Sequence, residues 1–180
     1  MTLNTVSSIN PVDLSPAEFR QYKVICAALY CYYNAGQLFY SNVRGKGLSD
    51  QFHPPPFIPG HLDCSSFVHW CFAVSGCQDP SGGGTLGSAG GDFQGDTGTL
   101  WAKGRFIGGS DVKSKYLLPG DVIFYSDGPS GAGLHGGNSE HCALYIADGK
   151  VISMGSDEGP LKLPYNESSK ALYGARRYEF

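Results

Sequence analysis

The first third of the chain repeats its apolar positions with a helical period. Ser15, Pro16 and Glu18 open this segment; a serine three residues before a glutamate forms a capping box, and proline is favoured at the first helical position. Apolar side chains then recur at steps of three and four residues: Phe19, Tyr22, Cys26, Leu29 and Tyr33. The pattern predicts an amphipathic helix that buries this set of side chains.

A second helix is predicted after a proline-rich loop. The loop, residues 41–61, contains "HPPPFIPG", which cannot be helical because prolines lack amide donors and restrict their neighbours. The apolar run "SSFVHWCFAVSG" then predicts a helix that starts near Cys64 and stops at Gly76. The next segment, 82–98, is rich in glycine but has no phosphate-binding pattern, so a loop is predicted. A short helix is expected around "TLWAKG".

The last third of the chain has the alternation of β-strands. "LLPGDVIFYS" predicts a turn and a strand, and "HCALYIADGKVISMGS" predicts two strands joined by a turn at Asp148-Gly149. "ALYGARRYEF" predicts a final strand. Because helices come first and antiparallel strands follow, we expect an α+β domain. We predict one domain, 1–180, with a helical part at about 14–110 and a sheet part at about 117–180.

Composition and charge narrow the class of protein. The chain has 180 residues, of which 41% are hydrophobic and 16% charged, as in a globular domain. The net charge of -3 gives no electrostatic footprint for nucleic acid or an anionic membrane, and no apolar stretch is long enough to span a bilayer. The first residues lack the basic start and apolar centre of a signal peptide, which predicts synthesis in a cytoplasm without a signal peptide.

The chain has six cysteines. A domain of this size does not need disulfides, and a cytoplasmic start disfavours them, so most of these cysteines are expected to be buried free thiols. Cys26 and Cys31 are five residues apart on the first helix and are not expected to face each other.

Cys64 differs because it lies where a loop is predicted to become a helix, in "HLDCSSFVHW". The thiolate is the reactive form of cysteine, and unpaired amide groups and the partial positive charge at a helix N-terminus favour it. Asp63 and Ser65 are candidates to cap this helix. The charge of Asp63 opposes a thiolate, so we assign it a structural role.

A cysteine nucleophile needs a base, and the chain has five histidines. His53 and His61 belong to the proline-rich loop, and His135 belongs to a glycine-rich loop. His69 lies five residues after Cys64 on the same helix and points to a different face. His141 begins an apolar strand, which fixes a ring better than a loop does, so His141 is the best candidate for the general base.

The segments "DCSSFV", "LLPGDVIFY" and "HCALYIADGKVIS", in this order, resemble the NlpC-type cell-wall cysteine peptidases. The resemblance covers roughly residues 40–160. It implies a papain-like fold in which Cys64 is the nucleophile and His141 the general base, with no cofactor or metal. The implied partner is bacterial peptidoglycan, cleaved at an amide bond of the stem peptide by a protein expected to be a monomer.

The finer resemblance is to the peptidase domain of a phage endolysin, which acts on the bacterial cell wall after synthesis in the host cytoplasm. The missing signal peptide and the segment "GSDEGPLKLP" favour this interpretation. The glycine-rich loops 82–98 and 128–138 are expected to rim the cleft.

The chain departs from the family pattern at the third catalytic position. Many relatives have a polar residue, often histidine, twelve residues after the base, and here that residue is Ser153. Its hydroxyl could accept a hydrogen bond from Nδ1–H of His141. The orienting role could also fall to a backbone carbonyl, a water, Asp157 or Glu158.

Two further departures lie near the nucleophile. Relatives carry a tyrosine that helps line the oxyanion site, and the nearest match is Tyr40 in "LFYSN", which the proline-rich loop separates from Cys64. Ser66 stands where relatives often have glycine, which implies tighter packing behind the nucleophile.

Three alternatives stay open. A zinc hydrolase could use His61, Cys64, His135 and His141, but these spacings are not a standard zinc signature and H-E-x-x-H is absent. A wall-binding module could keep the fold without the chemistry. A third possibility is thiol chemistry used for acyl transfer.

Overall fold

The computed structural model describes residues 14–41, 53–82, 95–126, 140–155 and 158–180. The helices, numbered in chain order, are α1 (Pro16–Tyr33), α2 (Cys64–Val74) and α3 (Thr97–Ala102). Single 3-10 turns occur at Ala35–Gln37 and Ser114–Tyr116. Two strands of two residues each, β1 (Phe39–Tyr40) and β2 (His61–Leu62), pair in parallel.

The main sheet has six strands, all antiparallel to their neighbours, in the order β3-β8-β4-β5-β6-β7. The strands are β3 (Arg105–Gly108), β4 (Val122–Ser126), β5 (Glu140–Ala147), β6 (Lys150–Met154), β7 (Pro160–Pro164) and β8 (Leu172–Arg177). This architecture confirms the α+β class, with the N-terminal helices packed on an antiparallel sheet.

Strand β5 separates two apolar cores because its side chains alternate between the faces of the sheet. Cys142, Leu144 and Ile146 join a core with α1 and α2. Ala143 and Tyr145 join a second core on the other face. Helix α2 packs directly on β5, and this contact brings the start of α2 close to the start of β5.

Helix α1 starts as predicted but buries a different face. Ser15 is its N-cap, and the capping box with Glu18 is complete. The buried side chains are Val24, Ile25, Ala27, Ala28 and Cys31. The predicted face was wrong: Phe19 and Tyr33 are exposed, and Tyr22, Cys26 and Leu29 are only partly buried. Small and aliphatic side chains let α1 lie close to α2, whereas tyrosine rings keep their hydroxyls at the boundary with water.

The predicted β5–β6 hairpin is confirmed, with positive φ angles of 50° at Asp148 and 65° at Gly149. Positive φ at both central residues is typical of a tight type I′ turn. The strand after "LLPG" and the final strand are also present, as β4 and β8. The short helix α3 is Thr97–Ala102 and starts two residues before the predicted segment.

Two strands were not predicted, and both lie at the edges of the sheet. Strand β3 falls inside the part of the chain, 14–110, that we expected to be helical, and it pairs with β8. Strand β7 begins at Pro160 and ends at Pro164. Proline within a strand argues against strand assignment, but an edge strand tolerates it because one side of the ladder is unpaired.

The turn before β4 is fixed by buried polar contacts. The Gly120 amide donates to the Tyr145 carbonyl, at 2.8 Å. The Asp121 carboxylate accepts two hydrogen bonds of 2.7 Å from Arg177 and one of 2.8 Å from the Leu118 amide. Burial raises the pKa of Asp121 in spite of this pairing. The turn therefore anchors β4 to both of its neighbouring strands.

Within the described part of the chain, every helix is too short or too polar to cross a membrane.

Candidate active site

Cys64 is the first residue of α2, and Asp63 caps this helix. The Asp63 carboxylate accepts hydrogen bonds from the Ser66 amide at 2.7 Å, the Ser66 hydroxyl at 2.8 Å and the Ser65 hydroxyl at 2.9 Å. The Asp63 amide donates to the Ser66 hydroxyl, which completes a capping box. Ser66 therefore does more than tighten the packing, because its hydroxyl helps fix the turn that carries the nucleophile.

The position of Tyr40 follows from the pairing of β1 with β2. Tyr40 is in register with Leu62, two residues before Cys64. Its ring is partly buried and packs against the helix-side core. The short parallel pair closes the long proline-rich loop and brings Tyr40 next to the segment that leads into α2.

His141 is the second residue of β5, and Ser153 on β6 contacts its imidazole. The contact joins Ser153 Oγ to His141 Nε2 rather than to Nδ1, as we had predicted. Ser153 faces Ala143 across the hairpin, two residues further along β5, so the imidazole reaches Ser153 with its distal nitrogen. The Nδ1 atom is then the ring nitrogen left to serve the nucleophile.

The His141 ring is packed on two other sides. Its centroid lies 6.1 Å from that of the Tyr125 ring. On another side, a Cβ atom added to Gly155 would lie 3.1 Å from Cε1 of the imidazole. A glycine at position 155 therefore leaves the space that the ring occupies.

The surroundings of Cys64 favour its thiolate. The pKa of Cys64 is lowered well below the usual value by a hydrogen bond from the Cys142 thiol and by the hydrogen bond and charge of His141; burial and the charge of Asp63 oppose this. The side chain is 5% exposed. The arrangement is that of an activated cysteine, ionised in contact with an imidazole.

Two residues at the nucleophile were missed in the sequence. The Thr97 hydroxyl lies 3.7 Å from the Cys64 sulfur, and Cys142 hydrogen-bonds the same sulfur. Cys142 directly follows His141, so its adjacency to the predicted base was a usable signal. Thr97 follows the N-cap Asp96 as Cys64 follows Asp63, but nothing in the sequence relates the two helix starts in space.

The other described histidines lie in different surroundings. His69 is fully buried, with Nδ1 3.3 Å from Asp79 Oδ1, on a different side of α2 from Cys64. His61 is exposed, and so is His53. In the residues that the structure describes, no group of three His, Cys, Asp or Glu side chains is placed to hold a metal ion.

Several predicted positions fall outside the described residues: His135, Asp157, the loop 128–138 and most of the loop 82–98. Glu158 is described and is exposed. All six cysteines are free thiols, and five of them are buried.

A cavity of about 240 Å³ adjoins the imidazole on the side of the sheet that bears Ser153. Its lining combines apolar side chains with a few polar ones: Tyr125, His141, Ala143, Val151, Ser153, Leu163, Pro164, Asn166 and Ser169. The base is therefore accessible from a concave surface that could receive part of a substrate.

Residues 47–175 match the sequence profile of the NlpC/P60 family. Among curated proteins, the chain is 30% identical over 121 residues to a Mycobacterium bovis protein named "Probable endopeptidase Mb2213c" and to a Mycobacterium tuberculosis protein named "Probable endopeptidase Rv2190c". The alignment covers 67% of this chain and 24% of each relative, so the chain spans about a quarter of their length.

Solved structures share the fold. The peptidoglycan hydrolase RipB of Mycobacterium tuberculosis superposes with a TM-score of 0.52 at 21% identity, over 98% of this chain and 72% of that one. NlpC2 of Trichomonas vaginalis gives a TM-score of 0.53 at 17% identity, over 88% and 48% of the two chains. These likenesses agree with the predicted papain-like, NlpC-type fold.

Proposed function

The chain belongs to the NlpC/P60 family, and from this premise we propose that it is a peptidoglycan hydrolase that cleaves an amide bond of the stem peptide with a cysteine nucleophile. The observation that carries the proposal is the Cys64 thiol at the start of α2, hydrogen-bonded to His141 and shifted toward its thiolate. The printed names of the relatives, which include endopeptidases and a peptidoglycan hydrolase, support the substrate class.

In the proposed reaction, the Cys64 thiolate attacks the amide carbonyl while the imidazolium of His141 stays beside it. His141 then donates its proton to the departing amine as the carbon–nitrogen bond breaks, which leaves a thioester on Cys64. Water, deprotonated by the now neutral imidazole, attacks the thioester and releases the acid and the thiolate. Ser153 would keep the imidazole oriented through Nε2 during both steps.

The negative oxygen formed during each attack needs donors. The Cys64 amide is one candidate, because the first amides of a helix have no acceptor within it. Tyr40 is the second candidate, since the β1–β2 pairing sets it beside the approach to Cys64. Loss of one such donor typically lowers the rate by about 10²–10³-fold.

The test is hydrolysis of purified peptidoglycan by the wild type and Cys64→Ala, with Cys71→Ala as the control for loss of a buried thiol elsewhere on α2. We expect the wild type and Cys71→Ala to release new amino groups and Cys64→Ala to release none at an unchanged melting temperature. Mass spectrometry of the released muropeptides identifies the bond.

Other outcomes separate the alternatives. Hydrolysis by Cys64→Ala would remove Cys64 from the mechanism. Inactivation by a chelator but not by iodoacetamide would favour a zinc hydrolase. Sedimentation with cell walls without release of amino groups would favour a binding module, and new peptide bonds in the products would favour acyl transfer.

We extend the proposal to a bacteriolytic protein of the phage endolysin type that acts on the cell wall from a cytoplasmic site of synthesis. The segment "GPLKLP", part of the basis for that expectation, is strand β7 of the sheet, so it belongs to the domain itself. The assay is a fall in turbidity when the protein is added to cells with permeabilised membranes. Intact cells under conditions in which purified walls are digested would contradict this role.

A further inference from the structure

The Cys64 sulfur has two polar neighbours besides the imidazole, and they come from two different elements. The Thr97 hydroxyl, on α3, lies 3.7 Å from the sulfur. Cys142, on β5, is fully buried, hydrogen-bonds the Cys64 sulfur and also interacts with the Thr97 hydroxyl. Two sulfurs and one hydroxyl therefore form a small polar cluster inside the helix-side core.

Within this cluster the proton belongs on Cys142. Burial, together with the neighbouring Cys64 sulfur, raises the pKa of Cys142 well above its usual value, whereas the pKa of Cys64 is lowered. Cys142 therefore stays a thiol when Cys64 is ionised. A thiol is a weak donor toward neutral groups, but a hydrogen bond to a buried anion is stronger because the acceptor is charged and the surroundings are apolar.

The charged and titratable groups that face the cluster come from each element around it. They are Asp63 at the start of α2, His141 on β5 and Tyr178 after β8. Asp63 opposes the thiolate, and His141 favours it. The two uncharged groups hold the sulfur from the interior side, where the imidazole does not reach around it.

We propose that Cys142 and Thr97 are positioning residues that hold Cys64 as a thiolate from inside the core, so that ionisation of the nucleophile does not depend on His141 alone. The inference rests on the proposed function in that Cys64 is taken as the nucleophile. A consequence concerns the second half of the reaction. When water breaks the thioester, the departing sulfur regains its negative charge facing the same two donors, so they also assist deacylation.

The first test measures carboxamidomethylation of Cys64 by iodoacetamide against pH in the full chain, resolved from the other five cysteines by peptide mass mapping. The variants are Cys142→Ala, which removes the donor, and Cys142→Ser, which keeps a hydroxyl donor. Cys71→Ala is the matched control, because it truncates a fully buried thiol of α2.

We expect Cys142→Ala to move the pH midpoint for alkylation of Cys64 upward by about one unit, equivalent to about tenfold slower alkylation below both midpoints. We expect Cys142→Ser to return the midpoint toward the wild type. Cys71→Ala should leave it unchanged.

The second test replaces Thr97 by valine, which has the same shape without the hydroxyl, and by serine, which keeps it. The contact is longer than an ordinary hydrogen bond, so we expect Thr97→Val to raise the midpoint by less than Cys142→Ala. We expect Thr97→Ser to match the wild type. A similar shift in both Thr97 variants would mean that the methyl group, and not the hydroxyl, is responsible.

An unchanged midpoint in a natively folded Cys142→Ala overturns the inference, whether or not the protein digests peptidoglycan. The converse result is also distinct: a raised midpoint without wall hydrolysis by the wild type supports the role of Cys142 and refutes the proposed function. If Cys142→Ala does not fold, the rescue variant Cys142→Ser and the Thr97 pair carry the same measurement.

Discussion

Helix α2 carries two buried cysteines with opposite properties, Cys64 in its first turn and Cys71 two turns later. Burial, with the nearby Cys31, raises the pKa of Cys71 well above its usual value. The pKa of Cys64 is lowered although its side chain is only 5% exposed. The two thiols share a helix, a core and near-complete burial. What differs is that Cys64 has a free helix end and donors around its sulfur, so partners rather than burial decide which thiol is reactive.

The strongest way to break this contrast is to remove the imidazole with His141→Ala. We expect wall hydrolysis to fall by about 10²–10⁴-fold, the usual contribution of a positioned acid–base group. Since the hydrogen bond and charge of His141 lower the pKa of Cys64, their loss raises it. The thiolate is lost as pH falls through the pKa, so the alkylation midpoint of Cys64 should move to higher pH. Alkylation of Cys71 in the same samples is the internal control, and an unmoved Cys64 midpoint would contradict this account.

The cap of α2 offers a smaller effect that separates charge from structure. Asp63→Ala should lower the free energy of unfolding by about 1 kcal/mol, because the capping acceptor is lost. Asp63→Asn keeps an acceptor and removes the charge that opposes the thiolate, so the alkylation midpoint should move to lower pH. Urea unfolding and alkylation are the two measurements. A midpoint that rises in Asp63→Asn would show that the carboxylate supports the thiolate.

The smallest effect concerns the orientation of the base. Ser153→Ala removes one hydrogen-bond partner of His141 Nε2, and a net hydrogen bond contributes about 0.5–1.5 kcal/mol. We therefore expect kcat/KM to fall about 2- to 10-fold with the alkylation midpoint nearly unchanged. Ser75→Ala, which loses a hydrogen bond to a backbone carbonyl at the other end of α2, is the control. A loss as large as that of His141→Ala would make Ser153 indispensable to the base.

The local chemistry of the site could be predicted from the sequence, and its spatial neighbours could not. Ser15 and Glu18 predicted the start of α1, and the turn at Asp148-Gly149 predicted the hairpin, because each depends on residues within a few positions. The start of α2 at Cys64 was predicted on the same basis. Thr97 reaches Cys64 across 33 residues of chain, and no local pattern encodes that approach.

The errors have a related cause. The buried face of α1 depends on which side chains let α2 come close, and the apolar period alone favoured the aromatic stripe. Strand β3 is a four-residue edge strand and β7 is bounded by prolines, so both derive their structure from a neighbouring strand rather than from their own composition.

The prolines at both ends of β7 also affect how the molecule meets its own kind. An open sheet edge is a template on which another chain can add a strand. Pro160 and Pro164 have no amide hydrogen to offer there, and Lys162 between them adds a charge. This margin of the sheet is therefore a poor site for strand addition, which favours the monomer that we expect and sedimentation velocity can measure.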